Sequence, residues 1–384
     1  MNADLIKFLK KEGHAVSSAV WHHDEGYFLP EMNGLHMYEE DGHDICELHP
    51  FVVHPEHASS MLYEIMKQTA PDVVISIGDY KDTDYLYSIK AMYPNLFKWV
   101  AIFTNDCIRV NELHKEYIDY ADTILSTSEF GAADLQNLCG REVEFIPYGP
   151  DHAKFFPQRD AESKKFNVLN TSKNAQVSNL GAFVMALGRT NDIMTFSDDA
   201  ICGYLHTNIY DPGEYDLDNL IERYAPEAVQ ITEEYVSVKE GISDEDMNSL
   251  YNSHQCIVDC SVKSATALSL LEAMSTGCIP IGPDYGRVGE IISQMPLQYQ
   301  FFVPHEIYIG KEEEEYAVIS VEGLMNSLIV LRRKVFPNEV LMAEARRSAI
   351  EVAGKYSNSD FVKRVADIVQ EVSKSSDVVT VETF

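Results

Sequence analysis

Residue types able to do chemistry gather between Asp259 and Ile292, in DCSVKSATALSLLEAMSTGCIPIGPDYGRVGEII. One carboxylate, Glu272, sits among strong helix formers, Leu270, Leu271, Ala273 and Met274. Ahead of it runs a loop of small and hydroxyl residues, Ser264, Ala265, Thr266 and Ala267. Such a loop at the start of a helix suits an anion. Unpaired backbone N–H groups and the helix dipole both favour negative charge there. Glu272 lies beyond the first turn, so the dipole does not assist it, but a carboxylate accepts hydrogen bonds from hydroxyl groups well.

The elements that must hold these groups follow from the same stretch. The apolar run Gln255 to Cys260 reads as a strand, and a helix starts near Leu268. Gly277 falls where a left-handed cap would stop that helix. Cys278 to Gly282 is a short buried strand, which completes a βαβ unit. A crossover with no ligand has the same outline, because small-residue loops are frequent at strand–helix turns.

The residues narrow the choice. Leu271-Glu272-Ala273-Met274, Gly277, Pro280, Gly286 and Glu290 resemble, in order and spacing, the donor-binding motif of family-4 retaining glycosyltransferases of the GT-B fold. That family carries two Glu residues separated by seven positions. The second is Glu272; the first falls on Ser264, and the loop Ala265-Thr266-Ala267 lacks the family's glycines.

Length and charge set outer limits. The 384 residues predict two domains of ordinary size, and 45% hydrophobic residues suffice for real cores. No run of about 18 apolar residues occurs, so no membrane span is expected. Seven scattered Cys without a C-x-x-C pair, and a start whose charges interrupt any signal-peptide core, fit reduced thiols in a cytoplasm. Thirty basic against 61 acidic residues leave a formal charge of −31, which makes nucleic acid an unlikely partner. That charge also argues against a sugar transferase acting on DNA bases.

The first half alternates strands and helices, which predicts a mainly parallel sheet. Asp4 to Lys11 reads as a helix and Ala15 to Trp21 as a strand; the resemblance makes these the first helix and second strand, with the first strand missing. His22, His23, His36, His43, His49, His54 and His57 crowd an acidic stretch, but their spacing matches no ligand helix, and no metal is expected. Pro71 to Ile77, Lys98 to Phe103 and Asp122 to Gly131 are strands. Their carbonyl ends face the binding crevice of such folds, which makes Gly78, Asp79 and Asn105 candidate acceptor contacts and Asp106 a candidate catalytic group. Plain turn chemistry uses the same residue types.

In the second half, Phe166 to Leu169 is a strand, then a loop leads to a helix ending at Leu187; Ile193 to Ser197 reads as a strand. The family places an Arg and, five positions on, a Lys in that loop to bind the donor diphosphate. Lys173 stands at the first position and Ser178 at the second, with Arg189 and Lys263 as candidates for the missing charge. A solvated loop lysine is the bland alternative for Lys173. The resemblance puts the nucleotide base near Gly241 to Ser243 and adds Ala265, Thr266, Ala267 and Leu268 to the donor contacts. Ser243 also fits a helix N-cap.

The resemblance implies two Rossmann-like domains facing across a cleft, a GT-B α/β fold. Residues 1–157 form the acceptor domain and 158–352 the nucleotide-sugar domain. A helix over 353–373 crosses back to the first domain, and 374–384 form a tail. The implied reaction moves a sugar from a nucleotide-sugar donor to an acceptor hydroxyl with retention, without a cofactor or bound metal. Because Glu, Lys and first strand are missing, a GT-B-like binding or regulatory subunit without turnover is the alternative.

Overall fold

The structure is a computed structural model that describes residues 2–16, 18–21, 35–40, 43–48, 55–79, 84–106, 109, 111–158, 165–194, 200–208, 215–232, 242–311 and 313–374. Two parallel sheets dominate it. The larger one orders its strands Val229–Ile231, Ile201–Leu205, Phe166–Asn170, Cys256–Val258, Ile279–Pro283 and Phe301–Val303. All neighbours run parallel. Numbered along the chain, that order is 3-2-1-4-5-6, the doubly wound arrangement. These strands read as short unbroken apolar runs because both faces are covered: Phe166, Val168, Ile257, Val258, Ile279 and Ile281 are all buried.

Helices Leu180–Ile193, Leu268–Thr276, Val321–Val330 and Glu339–Ala353 supply the cover, the first against the third and the second against the fourth. Gly277 closes Leu268–Thr276 with φ at 97°, and the amide of Cys278 reaches back to the Ala273 carbonyl. The helix expected to stop at Leu187 runs on to Ile193, so Ile193 is helical and not the start of a strand. Gly188 is the reason. It is a packing glycine, since a Cβ there would run into the main chain of Tyr224 on the helix Leu217–Tyr224. Residues 195–199, the rest of that expected strand, lie outside the described residues.

The smaller parallel sheet runs Val73–Gly78, Lys98–Phe103, Thr123–Ser126 and Glu144–Phe145. The strand expected to reach Gly131 ends at Ser126, because Ser128 caps helix Glu129–Cys139 through the Gly131 N–H. One face buries Trp99, Ala101 and Phe103 together with Leu62, Leu86, Ile89 and Leu135 from three helices. The other face takes Leu5 and Leu9 from helix Asn2–Lys11 and Phe361, Val362, Val365 and Ile368 from helix Asn358–Lys374. The chain thus returns to its first sheet at its far end. Ser18–Trp21 is a strand, but it pairs with His43–Leu48 in a separate three-stranded sheet with Leu35–Glu40. Val73–Gly78 borders the four-stranded sheet. His22, His23, His49 and His54 lie outside the described residues. No group of three or more potential metal ligands occurs among the described residues.

Gly149 sits where the return segment crosses. A Cβ there would overlap the main chain of Tyr356 and Ser357. Overpacking of this kind costs roughly 1–3 kcal/mol. Gly149→Ala should therefore lower the midpoint of urea unfolding by that much, with folded secondary structure retained. An unchanged midpoint would mean that the return segment does not press on this turn.

Candidate functional site

In a 3-2-1-4-5-6 sheet the crevice opens where the order reverses, at the carbonyl ends of the first and fourth strands. Here those strands are Phe166–Asn170 and Cys256–Val258, neighbours in register at Leu169 and Ile257. The side-chain Nδ2 of Asn170 donates to the Val258 carbonyl at 3.0 Å, which ties the two strand ends together. The loops beyond them meet as well: the N–H of Val262 donates to the Val177 carbonyl at 2.8 Å. Lys173 and Ser264 to Leu268 therefore belong to one crevice, although some 90 residues separate them.

Each loop feeds a helix through a left-handed, non-glycine residue. Asn179 (φ 49°) precedes Leu180–Ile193, and Ala267 (φ 48°) precedes Leu268–Thr276. Neither start has a side-chain cap. The Ala182 N–H turns back to the Asn179 carbonyl at 3.0 Å, and no side chain caps the other first-turn N–H groups of either helix. Lys173 is exposed in the loop that leads to the first of them. Ser178 is buried at 5% exposure and offers no charge. Ala265 and Thr266 are half-buried, and Leu268 packs against the apolar face of the smaller sheet.

Glu272 is drawn inward. Tyr251, itself fully buried, donates its hydroxyl to Glu272 Oε2 at 3.0 Å. Desolvation pushes the Glu272 carboxyl up to about 7, against the pull of the Tyr251 hydroxyl. Asp244 adds to the rise and Lys154 opposes it. Burial and the nearby Glu272 in turn push the Tyr148 phenol up to about 12. Burial and Glu272 push the Tyr251 phenol well up, and Thr171, on the loop after the first strand, opposes the rise. Glu272 is thus a shielded acceptor on the helix whose start carries no side-chain cap.

The smaller sheet meets this crevice through Asp106. Its carbonyl accepts from the Ser264 N–H at 3.2 Å, and its carboxylate lies 3.8 Å from Lys263 Nζ. Lys263 also stands over the Tyr316 ring at 4.7 Å, and Arg109 pairs with Glu315 at 3.2 Å beside it. Asp106, Ser264 and Lys263 are brought together; Arg189 is not, since it pairs with Glu322 at 4.0 Å on the packed helix Val321–Val330. Gly78 and Asp79 are half-buried at the end of Val73–Gly78. Asn105 is 1% exposed, and neither its Oδ1 nor its Nδ2 has a partner. Ser243 caps helix Asp244–Asn252 through the Asp246 N–H at 3.1 Å and donates to the Asp246 carboxylate at 2.6 Å. Gly241 lies outside the described residues.

Sequence reasoning missed Tyr251, Thr171 and Tyr148. Nothing in the local sequence around Tyr251 says that its hydroxyl reaches a carboxylate on another helix.

No protein-family model matches the chain, and no curated protein matches it in sequence. Solved structures do match in shape. A sucrose-phosphate synthase from Thermosynechococcus elongatus superposes with a TM-score of 0.74 at 14% identity, over 97% of this chain and 92% of that one. The structure described as trehalose-6-phosphate from E. coli bound with UDP-2-fluoro glucose gives 0.69 at 8% identity, over 98% and 96%. The catalytic domain of starch synthase IV from Arabidopsis thaliana, bound to ADP and acarbose, gives 0.63 at 12%, over 97% and 95%. The chain has the GT-B glycosyltransferase fold, as the motif residues imply. No helix among the described residues is long and apolar enough to cross a membrane.

The raised value of Glu272 has a signed consequence. A carboxyl that titrates near 7 when folded, against an ordinary 4.5, binds its proton more tightly in the folded state. Its contribution to stability is full below the unfolded value and is lost as pH rises through the folded one. The loss comes to about 3 kcal/mol. Glu272→Gln should remove most of the decline in unfolding free energy between pH 5 and pH 8. Parallel pH profiles for wild type and variant would disprove it.

Proposed function

We propose that the protein transfers a sugar from a nucleotide-sugar donor to an acceptor hydroxyl. One observation carries this reading: the residues of the donor motif fall on the switch point of the larger sheet, where two uncapped helix starts meet. The diphosphate would lie against those N–H groups and Lys173, which stabilise the charge that builds on the leaving group. The ribose hydroxyls would donate to Glu272. Asp106 would face the transferred sugar from the opposite side of the cleft. The acceptor oxygen bonds to the anomeric carbon as the bond to the diphosphate oxygen breaks, and the acceptor proton passes to the departing phosphate. The motif resemblance implies retention of configuration without a metal. The neighbours in shape carry UDP-2-fluoro glucose in one case and ADP in another, which supports a nucleotide as the ligand here. The expected setting is the cytoplasm. The proposed division is an acceptor domain over 1–157, a donor domain over 158–352 and a helix crossing back.

A second reading has its own observation. Ser264 offers no carboxylate where the motif has one, and Asp106 is engaged with Lys263. The protein would then bind a nucleotide sugar without turning it over. Donor hydrolysis and transfer assays on the wild type decide between the two; no turnover with any donor that binds would end the enzyme reading.

Lys173→Ala should weaken binding of a nucleoside diphosphate by roughly 1.5–3 kcal/mol, the loss of one charge-assisted contact, and leave the nucleoside nearly unaffected. Calorimetric titration of both ligands checks it, and equal losses would remove Lys173 from the phosphate site. Ser264→Glu should depress transfer if the protein is an enzyme. The new carboxylate would stand beside that of Asp106, where like charges repel and a longer side chain intrudes. Unchanged or increased donor hydrolysis in that variant would favour the second reading.

A further inference from the structure

Compared with the motif it resembles, the crevice lacks one cation, at Ser178, and one carboxylate, at Ser264. Both charges stand next door. The bond from the Val262 N–H to the Val177 carbonyl, 2.8 Å long, sets position 263 beside position 178. The bond from the Ser264 N–H to the Asp106 carbonyl, 3.2 Å long, sets the Asp106 residue beside position 264. Lys263 and Asp106 face each other across the cleft at 3.8 Å, with side chains 16% and 35% exposed. The Tyr316 ring, 4.7 Å from the ammonium, helps to keep Lys263 in this place. Ser178 cannot serve: its side chain is neutral and buried.

We infer that Lys263 is the second diphosphate-binding cation of this protein, and that Asp106 holds it until a ligand displaces the pair. The inference rests on reading the crevice as a nucleoside diphosphate site. An ion pair between mostly shielded but reachable side chains is weak, while a diphosphate offers the ammonium a denser charge and several acceptor oxygens. Asp106 and the diphosphate therefore compete for one cation. When the diphosphate takes it, the Asp106 carboxylate is released beside the place where the motif has its first Glu. One exchange across the cleft restores both missing charges.

Competition gives the two partners opposite signs, which a merely structural bridge would not. A bridge that only ties the sheets together would make both variants weaken every ligand alike. The test titrates ADP, GDP and UDP, and the matching nucleosides, into the full chain by calorimetry. Lys263→Met should weaken the diphosphate that the wild type binds by about tenfold or more, with the nucleoside unchanged. Lys263→Arg should keep most of that affinity. Asp106→Asn should tighten the diphosphate by about two- to fivefold, the worth of a partly exposed ion pair. Equal diphosphate affinity in wild type and Lys263→Met overturns the role of Lys263 and leaves the nucleotide reading standing. Equal losses in Lys263→Met and Lys263→Arg, or a loss in Asp106→Asn, overturn it as well. Failure of the wild type to bind any diphosphate defeats the nucleotide reading, and this inference with it.

Discussion

The structure depends on how the guanidinium of Arg287 is buried. This residue is 1% exposed, lies 4.7 Å from the Tyr356 ring centre and 5.4 Å from that of Phe145, and pairs with Glu290 at 2.9 Å. Its Nε and Nη2 have no hydrogen-bond partner. The ring faces therefore do much of what hydrogen bonds usually do for a desolvated charge. The other Glu290 oxygen accepts the N–H of Phe130, in the first turn of helix Glu129–Cys139, where the helix end favours a carboxylate. Three parts of the chain meet at this point. Helix Gly286–Ile292 comes from the larger sheet, Phe145 from the smaller one, and Tyr356 opens the return segment. Losing any partner would strand the charge, so the relative placement of the two sheets is held by a group that tolerates little movement.

That placement decides what the crevice contains. Asp106 reaches Ser264 and Lys263 only because the carbonyl end of Lys98–Phe103 is turned toward the loop after Cys256–Val258. Leu268 makes the same point from the apolar side. It begins the helix at the proposed donor site and yet packs with Val100, Ile102 and Leu125 of the other sheet. The charge arrangement at the mouth and the contact that steadies it are thus parts of one interface.

Much of this was legible in the residues. The strands of the larger sheet are apolar runs buried on both faces, and such runs can be read without knowing their neighbours. Gly277 announced its left-handed cap by its place after a helical run. The helix Leu180–Ile193 runs past its expected end at Leu187, and Gly188 inside it is where the main chain of Tyr224 comes close. The pairing of Ser18–Trp21 with His43–Leu48 was also hidden, since a strand's partner is set by the tertiary fold and not by its own composition. In the crevice, Lys173 and Glu272 could be singled out by register. The hydroxyl of Tyr251 on Glu272, from a separate helix, could not, nor could the contact of Ser264 with Asp106, 158 positions away.

The two left-handed residues at Asn179 and Ala267 carry a last consequence. Asn tolerates that conformation, but at Ala267 it costs roughly 1–2 kcal/mol, so the surrounding packing must impose it there. At Ala267 the motif's glycine, which would adopt the turn freely, is gone, yet the turn remains. The shape of the loop therefore belongs to the architecture and not to the residue. What the loop presents at the helix start is main chain, and main chain is the same whatever side chains are attached. A surface built this way outlasts changes in the side chains around it.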